Sequence, residues 1–196
     1  QYVSDFPVKP DSTGLPKAPL DLRLCGNCGL LQLKHIVERR LIYRDYWYYS
    51  GVNQSMRNAL QDVVDSVERI VHRNFEPVLD IGANDGTLLG AYSGAPTRLG
   101  FEPAVNTIYH PSQPIYQIEP SYFAAEKVPT GMKFKVVTAI AMFYSVPKPL
   151  RFLQDVKAIL AEDGVFVIQM NYLTDMLRGR TYDNIGHEHV AYYSLE

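Results

Sequence analysis

The pattern of apolar and polar positions changes character at Val78. Before it, Met56, Leu60, Val63, Val64, Val67, Ile70 and Val71 recur at helical spacing, with Arg57, Asp62, Asp65 and Glu68 on the other faces. That spacing predicts an amphipathic helix over about 53–73, placed to pack on a sheet and to cover a cleft. From Val78 onward short apolar runs alternate with helical patterns. Val78–Ile81, Arg98–Phe101, Ile115–Ile118, Phe134–Phe143 and Val165–Tyr172 read as strands. Leu88-Leu89, Tyr122–Glu126 and Leu150–Leu160 read as helical, the last stopped by Asp163-Gly164. Phe134–Phe143 is the longest apolar run and predicts a central strand buried on both faces. The alternation defines the fold class as α/β, a Rossmann-like, doubly wound and mostly parallel sheet.

Upstream, Leu20–Leu24 alternates like a half-buried strand and leads through Cys25-Gly26-Asn27-Cys28-Gly29 into a second short strand, Leu30–Leu33. Residues 1–20, rich in Pro, Ser, Gly and Asp, predict an extended lead-in. The chain accordingly divides into an N-terminal segment, 1–50, and a sheet domain, 51–196.

Composition narrows the classes. A hydrophobic content of 46% over 196 residues supports a buried core. A net charge of −2 gives no electrostatic case for nucleic acid or an anionic membrane as partner. No apolar run approaches the ~20 residues of a spanning helix. Two cysteines in C-x-x-C spacing are not a secreted disulfide framework, so a cytoplasmic location is the expectation. Gln1 is not an initiator Met, and the chain is expected to be a piece of something longer.

The chemistry concentrates in four places. Strand Val78–Ile81 runs into Gly82-Ala83-Asn84-Asp85-Gly86 and then a helix, setting the Asp80 carboxylate and bare backbone at a strand's C-terminal end, where open α/β sheets bind ligands. Asn84 and Thr87 stand where a dinucleotide fingerprint carries glycines, which argues against NAD and for a cofactor without phosphates, S-adenosylmethionine (SAM). Glu102-Pro103, ending the second strand, places a carboxylate to accept ribose hydroxyls, and Ala141-Met142-Phe143-Tyr144 ends the fourth strand facing the same cleft. Strand–CxxCG–strand is the shape of half a zinc ribbon, with Cys25 and Cys28 as ligands of a structural Zn2+ and His35 as a candidate third; a redox pair is the alternative. The aromatic run Tyr43–Tyr49 reads either as an apolar plug or as the wall of a polar-ligand pocket. In the tail, His187, Glu188 and His189 are expected over the cleft, as a surface loop, as metal ligands or, better, as a general base oriented by a carboxylate.

Taken in order, the CxxCG knuckle, the Y-x-Y-x-S segment, the amphipathic helix, D-I-G-A-N-D-G-T-L-L, G-F-E-P-A, D-G-V-F-V-I and D-N-I-x-H-E-H followed by Y-Y-S-L resemble the SAM-dependent C-methyltransferases of nucleotide-linked 4-keto-deoxysugars. The resemblance implies a SAM site built from Asp80, Gly82, Ala83, Asn84, Gly86, Glu102, Pro103, Ala141 and Met142. It puts the catalytic base at His189 with Glu188 beside it and His187 near, and an active-site phenol at Tyr48 or Tyr46. It also implies a four-Cys zinc module and a C-terminal α/β domain, of which this chain holds one Cys pair and no counterpart. Relatives commonly carry Tyr before HEH, where this chain has Gly186, which leaves C- against O-methylation open. A small-molecule O-methyltransferase and a non-catalytic SAM-fold binding module are the alternative readings. The implied partner is a small molecule, a nucleotide sugar, and the oligomeric state is not readable.

Overall fold

The computed structural model describes residues 17–44, 46–71, 77–92, 94–108 and 115–195. Most of the expected lead-in, and the last two positions of the expected 53–73 helix, lie outside the described residues. The elements are β1 (Leu22–Leu24), β2 (Leu31–Leu33), α1 (Arg39–Tyr43), α2 (Gln54–Ile70), β3 (Val78–Ile81), α3 (Thr87–Ala91) and β4 (Arg98–Phe101). There follow β5 (Gln117–Glu119), β6 (Phe134–Ile140), α4 (Pro149–Ile159), β7 (Leu160–Gln169), α5 (Leu173–Gly179) and β8 (Ala191–Tyr192).

Five strands form one parallel sheet in the order β5-β4-β3-β6-β7. The first of them in the chain, β3, lies at the centre, so the chain winds outward from it in both directions and leaves a crevice beyond its carboxyl end. Period-two alternation divides the core between the two faces. Val78 and its partner Val136 face Leu60, Val64 and Val67 of α2 and Leu88 and Leu89 of α3. Leu79 and its partner Val137 face the opposite way, onto Phe152, Val156 and Ile159 of α4. Burying a side chain of this size contributes ~1.5–3 kcal/mol, so each helix is held by its stripe rather than by propensity. Helix α2 starts on Asn53, whose side chain accepts from the Ser55 N–H. Its stripe runs as expected except at Ile70, which is 60% exposed.

Several local expectations shift. The third strand begins two residues later, at Gln117. Tyr122–Glu126 is not a helix: Ala124 is extended at φ −154°, only a 3-10 turn forms at Ala125–Lys127, and Phe123 instead packs edge-on against Phe101 and Phe152. Strand β6 stops at Ile140 because Ala141 takes φ +52° and turns the chain into a 3-10 turn, Phe143–Ser145. Helix α4 ends at Ile159, not at Asp163-Gly164, since Leu160 already pairs with Phe134. Asp163-Gly164 lies inside β7, at the irregularity where the register moves from Phe134–Leu160 to Val136–Val165. A Cβ on Gly164 would sit 2.9 Å from the Phe134 carbonyl oxygen, which is why the bulge takes glycine. The fifth strand ends at Gln169.

The N-terminal strands belong to a second, antiparallel sheet in the order β1-β2-β8. Its third member comes from the chain's tail, so residues 22–33 and 191–192 are bound into one unit. Strand β1 is less covered than its alternation predicts, with Leu24 69% exposed. Among the described residues no helix is long and apolar enough to cross a membrane.

Candidate active site

The crevice beyond β3, β4 and β6 opens into a cavity of ≈ 360 Å3. From the sheet side it is lined by Gly82, Asn84, Glu102, Pro103, Ala141 and Met142, all expected cofactor residues. Glu102 is buried, its two carboxylate oxygens accepting the N–H groups of Asn84 (2.9 Å) and Ala104 (2.7 Å). Burial pushes its pKa up, and these two N–H donors oppose that rise. A carboxylate offers about four lone-pair sites, so two directions remain for a ligand's hydroxyls.

The other expected cofactor residues stand behind this surface. Asp80 is buried beneath the turn and accepts the Thr138 hydroxyl at 2.6 Å. Burial pushes its pKa up to about 7; Thr138 opposes this and the nearby Glu102 adds to it. Ala83 packs under Gly100 of β4. Gly86, at φ +80°, is covered by the Tyr116 ring, which lies 2.5 Å from where a Cβ would stand, so glycine is required there on two counts.

The aromatic run forms a strap across the cavity mouth. Asn84, itself at φ +50°, accepts the Ser50 N–H through Oδ1 (2.9 Å) and donates Nδ2–H to the Tyr48 carbonyl (2.9 Å). Asp85 accepts the Gly51 N–H at 2.7 Å. At the other end Asn106 brackets the Tyr46 backbone, accepting its N–H at 3.0 Å and donating to its carbonyl at 2.6 Å. Tyr43, Tyr46, Trp47 and Tyr48 thereby line the cavity. Burial pushes the Tyr43, Tyr46 and Tyr48 phenols up, keeping them protonated donors.

The third wall is the tail. Glu188 and His189 line the cavity. The Nδ1 of His189 is 2.7 Å from the Asn184 carbonyl. A carbonyl only accepts, so Nδ1 carries the proton and Nε2 presents a lone pair. Burial holds the His189 pKa below the ordinary imidazole value, with the Asn184 contact opposing. His187 departs from the expectation that both tail histidines sit over the cleft: it is buried with Nε2 3.1 Å from the Ala18 carbonyl, towards the N-terminal strands.

The expected aromatic residues Tyr43 and Tyr144 are joined to the tail by contacts that sequence reasoning missed. Tyr144 packs against His189 with ring centroids 4.0 Å apart. Tyr43 donates to the Ser145 hydroxyl at 2.9 Å, and Ser145 donates to the Glu188 carbonyl at 2.6 Å. Arg39 lies over the Tyr122 ring, 4.1 Å from its centroid. Tyr43 and Tyr144 were visible as parts of aromatic runs; nothing in the sequence pointed to Ser145 or Asn106.

The donor set suits SAM: a buried carboxylate for ribose hydroxyls, apolar walls from Ile81, Phe101, Phe123 and Met142, and a turn without side-chain bulk at Gly82. Zinc is not matched in the same way. The N–H groups of Cys28 and Asn27 hold the Cys25 thiol below its ordinary pKa, as in a metal knuckle. Yet among the described residues no third His, Cys, Asp or Glu joins the pair, and His35 does not complete it.

A parallel sheet wound outward from β3, with a glycine turn after β3 and an acid ending β4, defines the class: a Rossmann-like domain of the SAM-methyltransferase type. The chain belongs to the methyltransferase domain family, which it matches over residues 53–196. It is 31% identical to the C-methyltransferase NovU of Streptomyces niveus over 192 residues, covering 94% of this chain and 46% of NovU. The chain therefore spans about half the length of the curated relative it matches. Among solved structures, the plantazolicin methyltransferase BpumL, in complex with a pentazolic analogue and SAH, aligns at TM-score 0.54 and 13% identity over 70% of this chain and 56% of its own. SAM-bound CalS10, an amino pentose methyltransferase from Micromonospora echinaspora, aligns at 0.51 and 18% over 67% and 60%. At these identities the two structures speak to the fold.

Proposed function

We propose that the chain carries out SAM-dependent C-methylation of a nucleotide-linked keto-deoxysugar, with His189 as the base that forms an enolate. The observation that carries this reading is the His189 geometry: one ring nitrogen is tied to the Asn184 carbonyl and the other has no hydrogen-bond partner among the described residues, in the cavity that also holds Glu102. The likeness to NovU, a C-methyltransferase, supports carbon as the methylated atom.

The residues divide the work. Glu102 holds the ribose of the cofactor, Gly82 and Asn84 let it lie against the turn, and Pro103, Ala141 and Met142 enclose it. When bound, SAM supplies an electrophilic methyl group on a sulfonium. The His189 Nε2 lone pair takes the proton on the carbon α to the ketone, and the C–H electron pair moves towards the carbonyl oxygen. Glu188 lines the same cavity, and the aromatic strap, with Tyr46 and Tyr48, keeps water from the carbanion. The burial that lowers the His189 pKa keeps the ring neutral and ready as a base at neutral pH.

The test uses the full-length protein with a nucleoside diphosphate-linked 4-keto-6-deoxyhexose in D2O, with S-adenosylhomocysteine (SAH) present so that no methyl transfer competes. Wild type is expected to exchange the α-hydrogen for deuterium, and His189→Asn to exchange it ~10²–10⁴-fold more slowly with SAH affinity unchanged by calorimetry. Exchange at the wild-type rate in the variant removes His189 from the role. No exchange in wild type, together with a methyl found on oxygen, transfers the reading to O-methylation, where the same base would serve a hydroxyl and Gly186 would cost nothing.

A further inference from the structure

We infer that Tyr144 is a catalytic residue: its phenol donates a hydrogen bond to the substrate oxygen on which charge develops as His189 removes the α-proton. The inference rests on the enolate reading above.

The argument is one of adjacency. In a ketone, the oxygen that becomes the enolate and the hydrogen that leaves sit on neighbouring carbons. The donor that stabilises the one must therefore stand beside the base that removes the other. Among the described cavity phenols, Tyr144 is the one in ring contact with His189, at 4.0 Å between centroids and 51° between planes, whereas the Tyr46 ring leans on Tyr43 at 5.6 Å and Trp47 at 6.4 Å. The Tyr43 hydroxyl is committed to Ser145 (2.9 Å) and the Glu188 carbonyl (3.2 Å). Tyr122 lies beneath Arg39, and Tyr48 is tied by its carbonyl to Asn84, on the Asp85 side of the strap. Among the described residues no hydrogen bond engages the Tyr144 hydroxyl.

The fold also fixes Tyr144 as an oxyanion donor must be fixed, before the charge appears. The positive φ of Ala141 breaks β6 and folds the Phe143–Ser145 turn back over the cavity. The Tyr144 carbonyl then accepts the Val190 N–H at 2.9 Å, next to the base, and Ser145 donates to the Glu188 carbonyl. Base and phenol are thus locked to each other across more than forty residues of chain by one backbone bond and one hydroxyl-to-carbonyl bond. Burial, with Glu188 adding to it, pushes the phenol up to about 12, so it stays a donor throughout the neutral range.

The step balances within the protein and the substrate. The α C–H bond breaks and an N–H bond forms at His189 Nε2. The released pair becomes the C=C bond, and the carbonyl π pair moves to oxygen, which accepts the O–H of Tyr144 without taking its proton. The reverse step returns a solvent proton or deuteron to carbon.

Tyr144→Phe separates chemistry from packing, because Phe keeps the ring against His189 and removes only the hydroxyl. In the SAH-loaded full-length protein, with the same keto sugar in D2O, the variant is expected to lose ~10²–10³-fold in exchange rate at saturation. Its half-saturating sugar concentration and SAH affinity are expected to stay at wild-type values. Exchange at the wild-type rate, with SAH still bound, overturns the role of Tyr144 while leaving the enolate reading intact. Absence of exchange in wild type overturns the enolate reading and this inference together.

Discussion

The two walls of the cavity are built by opposite means. The cofactor wall is made by segments close in sequence: Glu102 reaches the Asn84 N–H across 18 residues, and each follows directly on a buried strand of the sheet, β4 and β3. The acceptor wall is gathered from far apart, with Tyr43 bonded to Ser145 across 102 residues and to the Glu188 carbonyl across 145. The first wall is organised by backbone N–H groups donating to a buried carboxylate, the second by part-buried rings and side-chain contacts. A site built the first way is fixed once the sheet has formed. A site built the second way depends on the small β1-β2-β8 sheet and the strap closing over it, which leaves acceptor choice free to vary without disturbing the cofactor.

The sharpest way to break that comparison is Glu102→Ala. Removing the carboxylate strands two backbone N–H groups as well as the ribose acceptor, at ~1–3 kcal/mol for each group left unpaired. SAH affinity is expected to fall by about 10–10²-fold, at 1.4 kcal/mol per decade, as read by calorimetry. Affinity at the wild-type level would remove Glu102 from the cofactor site and dissolve the distinction between the walls. Exchange at the keto sugar, measured at saturating SAH, is expected to survive.

A smaller effect is expected from pH. Asp80 has its folded pKa raised to about 7 against 3.8 unfolded. Between those values the folded state therefore binds more protons than the unfolded state. Its contribution to stability is full below about 3.8 and declines as pH rises through about 7. Asp80→Asn keeps an acceptor for the Thr138 hydroxyl and has no charge to lose, so the urea midpoint of the ligand-free variant should lack that decline. His189 acts in the opposite sense: its folded pKa is lowered, so its contribution is present above the ordinary imidazole value and is lost as pH falls through the folded one. A wild-type midpoint flat from pH 4 to pH 7, matched by Asp80→Asn, would place Asp80 outside the buried core.

The same contrast governs what was legible in the sequence. The places of Gly82, Asn84, Glu102 and Met142 at the cavity could be read because they follow from position just past a strand end, which periodicity locates. Even there, Gly86 and Asp80 turned out to support the surface rather than form it, since whether Tyr116 or Thr138 covers a residue is a matter of packing. The missing helix at Tyr122–Glu126 and the Asp-Gly pair inside β7 are failures of another kind. In both, a local propensity lost to a tertiary demand, a ring stack at Phe123 and a bulge at Gly164. Ser145 and Asn106 were illegible because a hydroxyl or an amide in a turn becomes functional only through a partner a long way along the chain.

The smallest and most discriminating prediction concerns Asn106. Its amide brackets the Tyr46 backbone on both sides, and truncating that amide leaves the loop's own bonds, Thr107 N–H to the Ala104 carbonyl and Ala104 N–H to Glu102, in place. Both bonds lie at the surface, where a net hydrogen bond is worth ~0.5–1.5 kcal/mol and the lower end applies. Asn106→Ala should therefore loosen the strap at the Tyr46 end while Asn84 and Asp85 still hold it near Ser50 and Gly51. The half-saturating keto sugar concentration is expected to rise by about 2–10-fold, in keeping with that energy, with SAH affinity and thermal midpoint unchanged. A matching loss of SAH affinity would mean that the strap is part of the cofactor wall. In that case the two walls are one structure, and acceptor choice is not separable from cofactor binding.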